Sequence, residues 1–356
     1  MAGSEMAAMD FTSDNASGVA PEIMAALTEA NHGSAASYGA DDVTARLQIV
    51  MADLFEHEVE VFPVATGTAA NSLALACLTP PWGAVFGHEH AHAHVDECGA
   101  PEFFSDGAKF VPIAGENGKL EPDAFKAAFR LLPLGNVHNV QPSTLTLTQS
   151  TECGTLYSVD EIRALTDIAH SRDIAVHMDG ARFANAVAAL DASPAEITWK
   201  SGIDVMSFGA TKNGAMGAEA VIFFDKHLAR DFAFRRKRGG HLFSKMRFLS
   251  AQLEAYLKDG LWLRLAAHAN AMAGELAEGL GAMPGVDIHF PVEANEIFVR
   301  MPVSMSKGLK EAGARFHPWP MVGDNDRART VRLVASFQTE AAAVAEFLAY
   351  ARATAG

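Results

Sequence analysis

Between residues 59 and 224 the chain repeats one alternation that few folds can accommodate. Apolar runs at 59–65, 84–87, 109–113, 144–148, 174–178, 204–208 and 220–224 read as strands. Helical patterns at 68–78, 122–131, 159–171 and 194–200 fall between several of them. Strands that are apolar on both faces and separated by helices require a sheet covered on each side. The seven runs therefore predict an α/β domain on a mostly parallel seven-stranded sheet. Upstream, Pro21 opens a short helix closed by Asn31 and Gly33. Asp41-Asp42 open a second, whose Val43, Leu47, Val50 and Leu54 share one face.

From about Ser244 the alternation stops. A long amphipathic stretch, 248–280, breaks near Asp259-Gly260. Strands follow at 286–289, 295–300 and 330–334, with helices at 304–311 and 339–353. This part reads as a smaller C-terminal α+β domain. The expected division is a flexible start at 1–10, a large domain with an N-terminal arm at 11–245, and a small domain at 246–356.

Composition narrows the function. Lys and Arg number 28 against 43 Asp and Glu, a formal net charge of −15, and the basic residues are scattered apart from Arg235-Arg236-Lys237-Arg238. Such a surface repels phosphate polyanions, which argues against nucleic-acid or anionic-membrane partners. Cys77, Cys98 and Cys153 form neither an even framework nor a CxxC pair, as in a reducing compartment. The start lacks a basic stretch followed by an apolar one, and no uncharged run approaches the roughly 18 residues of a membrane span. A cytoplasmic address is the expectation.

Three segments carry chemistry. Thr66-Gly67-Thr68-Ala69-Ala70-Asn71 joins a strand to a helix, and free amides, a glycine and a hydroxyl there make a seat for phosphate. A bare structural turn would use the same residues. GxxxxGK[ST] and GxGxxG are both absent, which counts against ATP and dinucleotide sites. His177-Met178-Asp179-Gly180-Ala181-Arg182 ends a hydrophobic strand, the edge where open α/β sheets bind ligands. A carboxylate there can pair with a pyridinium nitrogen, and Arg182 offers a planar fork to an anion. The plainer alternative makes Asp179 a helix cap and Arg182 a surface charge. Ser207-Phe208-Gly209-Ala210-Thr211-Lys212-Asn213-Gly214 then sets a lone lysine after an apolar strand, where partial burial frees an amine for imine formation. The order matters more than any part: phosphate turn, strand-end Asp, strand-end Lys.

With these segments in place, the sequence resembles the aromatic amino acid beta-eliminating lyase/threonine aldolase family, in particular its low-specificity L-threonine aldolases, from about Phe11 onward. The carrying residues are Ser13-Asp14-Asn15, Tyr38-Gly39-Ala40-Asp41, Thr66-Gly67-Thr68, His92 with Glu97 and Gly99, His177 to Arg182, Thr211 to Gly214, and Val331-Arg332-Leu333-Val334. The resemblance implies a pyridoxal 5'-phosphate (PLP) enzyme of fold type I, PLP-dependent transferase-like, working as a homodimer or homotetramer with shared active sites. Lys212 resembles the Schiff-base lysine, Asp179 the partner of the pyridine nitrogen, and Gly67 and Thr68 phosphate binders. Thr211, beside the lysine, stands where the family has Ser. Ser13, Arg182 and Arg332 match positions that hold the substrate carboxylate, Arg182 also bordering the cofactor and Tyr38 the substrate. His92 matches an imidazole stacked on the cofactor ring, and Lys237 a phosphate contact from the neighbouring subunit. One departure bears on substrate range: Glu152 stands where many members carry a second active-site His, in a branch that favours bulkier substrates such as phenylserine. The implied reaction is retro-aldol cleavage of threonine, allo-threonine or a related β-hydroxy-α-amino acid to glycine and an aldehyde. His92, Glu152 or a water is the base. β-Elimination and transamination on the same scaffold are the alternatives.

Two features invite other readings. His88-Glu89-His90-Ala91-His92-Ala93-His94 alternates with period two, which on a strand would aim four imidazoles one way, as a metallohydrolase needs. No further His/Asp set accompanies it beyond Asp179, so the expectation is no functional metal, with only His92 used. The Arg235–Arg238 run reads as a solvated helix face. A purely binding or structural role would leave the catalytic set degenerate, whereas Lys212, Asp179 and Arg182 are all present.

Overall fold

The computed structural model describes residues 9–354; most of the expected flexible start, residues 1–8, lies outside the described residues. All seven expected strands are present: β1 (Glu60–Val64), β2 (Gly83–His88), β3 (Lys109–Ile113), β4 (Gln141–Thr148), β5 (Ala175–Gly180), β6 (Val205–Gly209) and β7 (Glu219–Phe223). They form one sheet in the order β1-β7-β6-β5-β4-β2-β3. The pairings from β3 through β6 are parallel, and β7 runs antiparallel to both β6 and β1. β2, β6 and β7 are buried at every position, because helices cover both faces.

Helices α1 (Pro21–Ala30) and α2 (Asp42–Phe55) precede the sheet, α2 opened by the Asp41 carboxylate, which accepts the Thr44 N–H at 2.9 Å. α3 (Gly67–Leu78) follows β1, and two short helices, α4 (His92–Val95) and α5 (Ala100–Phe104), lie between β2 and β3. α6 (Pro122–Arg130) and α7 (Val159–His170) carry the next crossovers, α8 (Phe183–Ala189) follows β5, and α9 (Phe232–Arg238) follows β7. α4, α5, α8 and α9 span four to seven residues, too few for a periodic apolar face to reveal them.

The helix expected at 194–200 does not form. Thr198 leaves helical geometry (φ −122°, ψ −110°) while its hydroxyl donates to the Pro194 carbonyl, and only a single 3-10 turn, Trp199–Ser201, remains. A side chain that bonds its own backbone competes with the helical ladder.

α10 (Arg247–Leu257) and α11 (Leu261–Gly281) part at Asp259-Gly260, as expected. α11 spans two cores: Leu261, Trp262 and Ala266 belong to that of the large sheet, whereas Met272, Leu276 and Leu280 belong to a second. The second sheet is antiparallel, ordered β10-β11-β9-β8, from β8 (Asp287–Ile288), β9 (Glu296–Pro302), β10 (His317–Pro318) and β11 (Ala328–Val334). α12 (Val303–Glu311) and α13 (Ala341–Thr354) cover it. The N-terminal arm packs here: Phe11 is fully buried, stacks edge-on against Phe347, and accepts the Val334 N–H at its carbonyl. Met9 and Asp10, the end of the expected flexible start, are tied to Arg315 by backbone pairing. The arm then delivers residues 13–16 to the carboxyl ends of the large sheet.

Candidate active site

Two close backbone approaches bring Asp179 and Lys212 together. β5 and β6 pair with Asp179 opposite Ser207, and each strand ends in glycine. A Cβ at Gly180 would lie 2.7 Å from the Ser207 carbonyl oxygen, and one at Gly209 would run into the Ala181 backbone. Only glycine lets the two strand ends lie so close. Asp179 emerges buried, its Oδ1 accepting the Ala181 N–H at 3.0 Å and its Oδ2 the Asn71 amide at 2.8 Å.

Asn71 continues a chain. The same Nδ2 donates to Glu97 Oε1 at 2.8 Å, and that oxygen lies 2.8 Å from His92 Nδ1. The hydrogen bond to Glu97 holds the His92 imidazole above its ordinary pKa, and burial pushes the Glu97 carboxyl up, so the pair retains its proton. His92 Nε2 has no hydrogen bond among the described residues. Behind Asp179 on β5, His177 is fully buried between the Thr146 and Ser207 hydroxyls at 2.9 Å each, and burial lowers its pKa to about 4. It is neutral and structural.

The strand-to-helix turn at Thr66–Thr68 forms as expected. Thr66 caps α3 by accepting the Ala69 N–H at 3.2 Å, and a Cβ on Gly67 would meet nothing within 4 Å. The first-turn amides of Gly67 and Thr68 therefore face open space with no intrahelical acceptor. Lys212 sits on a 3-10 turn (Thr211–Asn213), half-buried, and its amine has no hydrogen bond or ion pair among the described residues. Its neighbours are pinned: the Thr211 hydroxyl accepts the Ala218 N–H, and the Asn213 amide donates to Tyr256 Oη and the Trp262 carbonyl at 2.8 Å.

The third group of residues meets across the two sheets. Arg182 is buried and gives Nε and Nη2 to the two oxygens of Asp14, at 2.7 and 3.1 Å, while Nη1 lies 3.0 Å from Glu296 Oε2. It is not the open fork the sequence implies, since Nε and Nη2 are spent on Asp14 and Nη1 faces Glu296. Burial raises the Asp14 pKa, but the nearby Arg182 and Lys212 charges outweigh it and hold the carboxyl below its ordinary value. Burial pushes Glu296 up against the pull of Arg182, and neither of its oxygens has a hydrogen-bond partner among the described residues. Arg332 reaches the same carboxylate at 3.8 Å, remains partly accessible, and stacks 4.9 Å from the Trp319 ring centroid. Ser13 is half-buried and caps the turn that presents Asp14.

Glu152 lies on a turn held by Thr151, Thr155 and the Asn117 carbonyl, half-buried, with its charge acting on both His92 and Arg182. No described residue hydrogen-bonds its carboxylate. Tyr38 and Lys237 instead meet each other, with the ammonium 4.8 Å from the ring centroid and both exposed. The histidine run is no ladder: β2 ends at His88, whose Nε2 lies 3.0 Å from the Gly115 carbonyl, and His92–Val95 coil into α4, stacking His94 on Phe110. Among the described residues, no three His, Cys, Asp or Glu side chains converge on a point that could hold a metal.

Sequence reasoning gave no role to Asn71, Asp14, Glu219 or Glu296. For Asn71, Glu219 and Glu296 a signal was present: each is a polar residue inside or opening a largely apolar buried element, where an unpaired polar group is costly.

The residues fit PLP. A half-buried amine without an acid partner suits its aldehyde. Asp179 keeps lone-pair sites beyond its two donors for a ring N–H, and the amides at Gly67 and Thr68 suit its phosphate. The sequence profile of the beta-eliminating lyase family matches residues 10–304. A low specificity L-threonine aldolase of Pseudomonas sp. is 46% identical over 343 residues, spanning 96% of this chain and 97% of the relative. One from Pseudomonas aeruginosa is 47% identical over 307 residues, spanning 86% and 88%. The structure of a Leishmania major threonine aldolase superposes with a TM-score of 0.91 at 27% identity, covering 98% of this chain and 99% of that one.

Proposed function

This chain belongs to the beta-eliminating lyase family and is a PLP enzyme of fold type I, and we infer that it is a carbon–carbon lyase cleaving L-threonine and related β-hydroxy-α-amino acids to glycine and an aldehyde. The observation that carries this is the amine of Lys212, without a partner among the described residues, on the turn after β6, the strand paired with the one that ends in Asp179, in a chain 46% identical to an L-threonine aldolase along nearly its whole length.

Lys212 would hold the cofactor by its amine, Asp179 at the ring nitrogen, Gly67 and Thr68 at the phosphate, with Thr211 beside the amine and His92 over the ring. When bound, PLP supplies an electron sink for the pair released from the Cα–Cβ bond. Arg332, with Ser13 and Arg182, orients the substrate carboxylate, which selects the Cα bond that breaks. Glu152 receives the β-hydroxyl proton. Its carboxylate accepts no hydrogen bond from a described residue, whereas Glu97 keeps His92 in its protonated, donating form. A carboxylate in place of a second imidazole leaves room for larger side chains, phenylserine among them. We place the enzyme in the cytoplasm as a homodimer or homotetramer; the exposed Lys237, steadied by Tyr38, would reach a neighbouring subunit's phosphate site.

The test is spectroscopic. The purified protein should carry a visible band that borohydride bleaches, with the adduct on Lys212. It should release acetaldehyde and glycine from L-threonine. A spectrum that stays blank after PLP is added would sink this reading. 2-Oxobutanoate with ammonia from L-threonine would replace it by β-elimination.

A further inference from the structure

One buried carboxylate has no place in that scheme. Glu219 opens β7, an otherwise wholly apolar strand, between Val64 of β1 and Gly209 of β6, and is 7% exposed. Its Oε2 accepts the Ala210 N–H at 3.2 Å and its Oε1 the Thr211 N–H at 3.4 Å, the two amides that lead into Lys212. The Thr211 hydroxyl closes the clasp from the other side on Ala218. Lys212 is thus held before and after, by Glu219 and by the Asn213 bonds to Tyr256 and Trp262, while its amine stays free.

A carboxylate is a costly way to bind two amides that other acceptors could satisfy. The charge of Lys212, one residue beyond the amides that Glu219 accepts, acts on this carboxylate. Among the other titratable groups, the Tyr256 phenol feels the Glu219 charge from α10, and the paired strands set the apolar Val64 of β1 and Gly209 of β6 opposite it.

We propose that Glu219 is a positioning residue for the known chemistry: it fixes the Lys212 turn and places a negative charge behind the lysine nitrogen. Burial raises its carboxyl to about 7, opposed by Thr211, Lys212 and the two amides, so this charge changes within the working pH range. The proposal rests on Lys212 being the cofactor lysine.

The test is the pH titration of the visible band of the holoenzyme. Removing a negative charge beside a cationic nitrogen makes that nitrogen more acidic. In Glu219→Gln the apparent pKa of the band should fall by about one unit, with cofactor loss on dialysis about tenfold faster. The KM for L-threonine should stay within about twofold, because the carboxylate clamp is untouched. Band titration and cofactor retention that both match wild type would overturn the proposal. Should the Gln variant not fold, Glu219→Asp decides. The shorter side chain keeps the charge but cannot reach both amides, so lowered turnover with the band titration in place is expected, and wild-type turnover overturns the proposal. A wild-type protein without any visible band would instead remove the PLP reading itself.

Discussion

The two ends of the site are built on opposite principles. At the cofactor end, Asp179, Asn71, Glu97 and His92 all come from the large domain and are joined by hydrogen bonds of 2.8 Å. Asn71 donates to both carboxylates and His92 bonds to Glu97, so the four side chains form one connected network, which is rigid. At the carboxylate end, Asp14 comes from the N-terminal arm, Arg182 from the turn before α8, and Glu296 and Arg332 from the second sheet. There the bonding is ionic, and Glu296 lacks any hydrogen bond among the described residues. Buried ion pairs contribute little net stability yet are costly to break. The first end is ready before ligand arrives; the second exists only when arm, large domain and small domain are assembled.

The largest test of this contrast is Arg182→Leu, which strands the Asp14 and Glu296 carboxylates. It should cost about 3–5 kcal/mol of stability by thermal or urea unfolding. A loss under about 1 kcal/mol would mean that the carboxylate end is not a structural junction. Next is a pH effect confined to the cofactor end. Because His177 has a folded pKa of about 4 against 6.5 unfolded, the unfolded chain binds the extra proton between those values. Its contribution is complete above pH 6.5 and lost as pH falls toward 4, about 3 kcal/mol in all. Melting curves across that window should flatten in His177→Asn, and an unchanged slope would show that the imidazole is not buried neutral.

Glu152→Gln probes the chemistry between the two ends. Turnover on L-threonine should drop by about a hundredfold with the visible band intact, whereas near-normal turnover would return the base to His92 or a water. Arg332→Ala, at the accessible edge of the ion cluster, should raise the KM for L-threonine about thirtyfold while kcat changes little, a loss of about 2 kcal/mol in binding. A large stability loss instead would place Arg332 with Arg182 as structural.

At the cofactor end, the positions of Thr66 to Thr68, Asp179 and Lys212 were legible in the sequence because they lie at strand ends and a helix start, whereas His92 and Glu97 were named only through the family resemblance. There, local pattern determines position: Thr66 to Thr68 follow an apolar strand, and Asp179 and Lys212 each stand at the close of one. Its one unread member, Asn71, was hidden inside α3, marked only by its polarity among buried Ala and Leu. The carboxylate end was legible as residues but not as bonds. Ser13, Arg182 and Arg332 could be picked out, yet nothing local says that Arg182 spends two nitrogens on a residue 168 positions away. The histidine run forms no ladder for a related reason: period two predicts a shared face only if the strand continues, and β2 stops at His88.

What the sequence determined by itself was the sheet, its helical cover and the order of phosphate turn, carboxylate and amine. Those follow from hydrophobic periodicity and turn chemistry, which act over a few residues. Only the tertiary structure decided which charges are shared. It set Glu296 between two arginines, closed the fork of Arg182 on Asp14, and placed Glu219 behind Lys212. Ion pairing and burial depend on distances between segments far apart in the chain, and no local pattern encodes those distances.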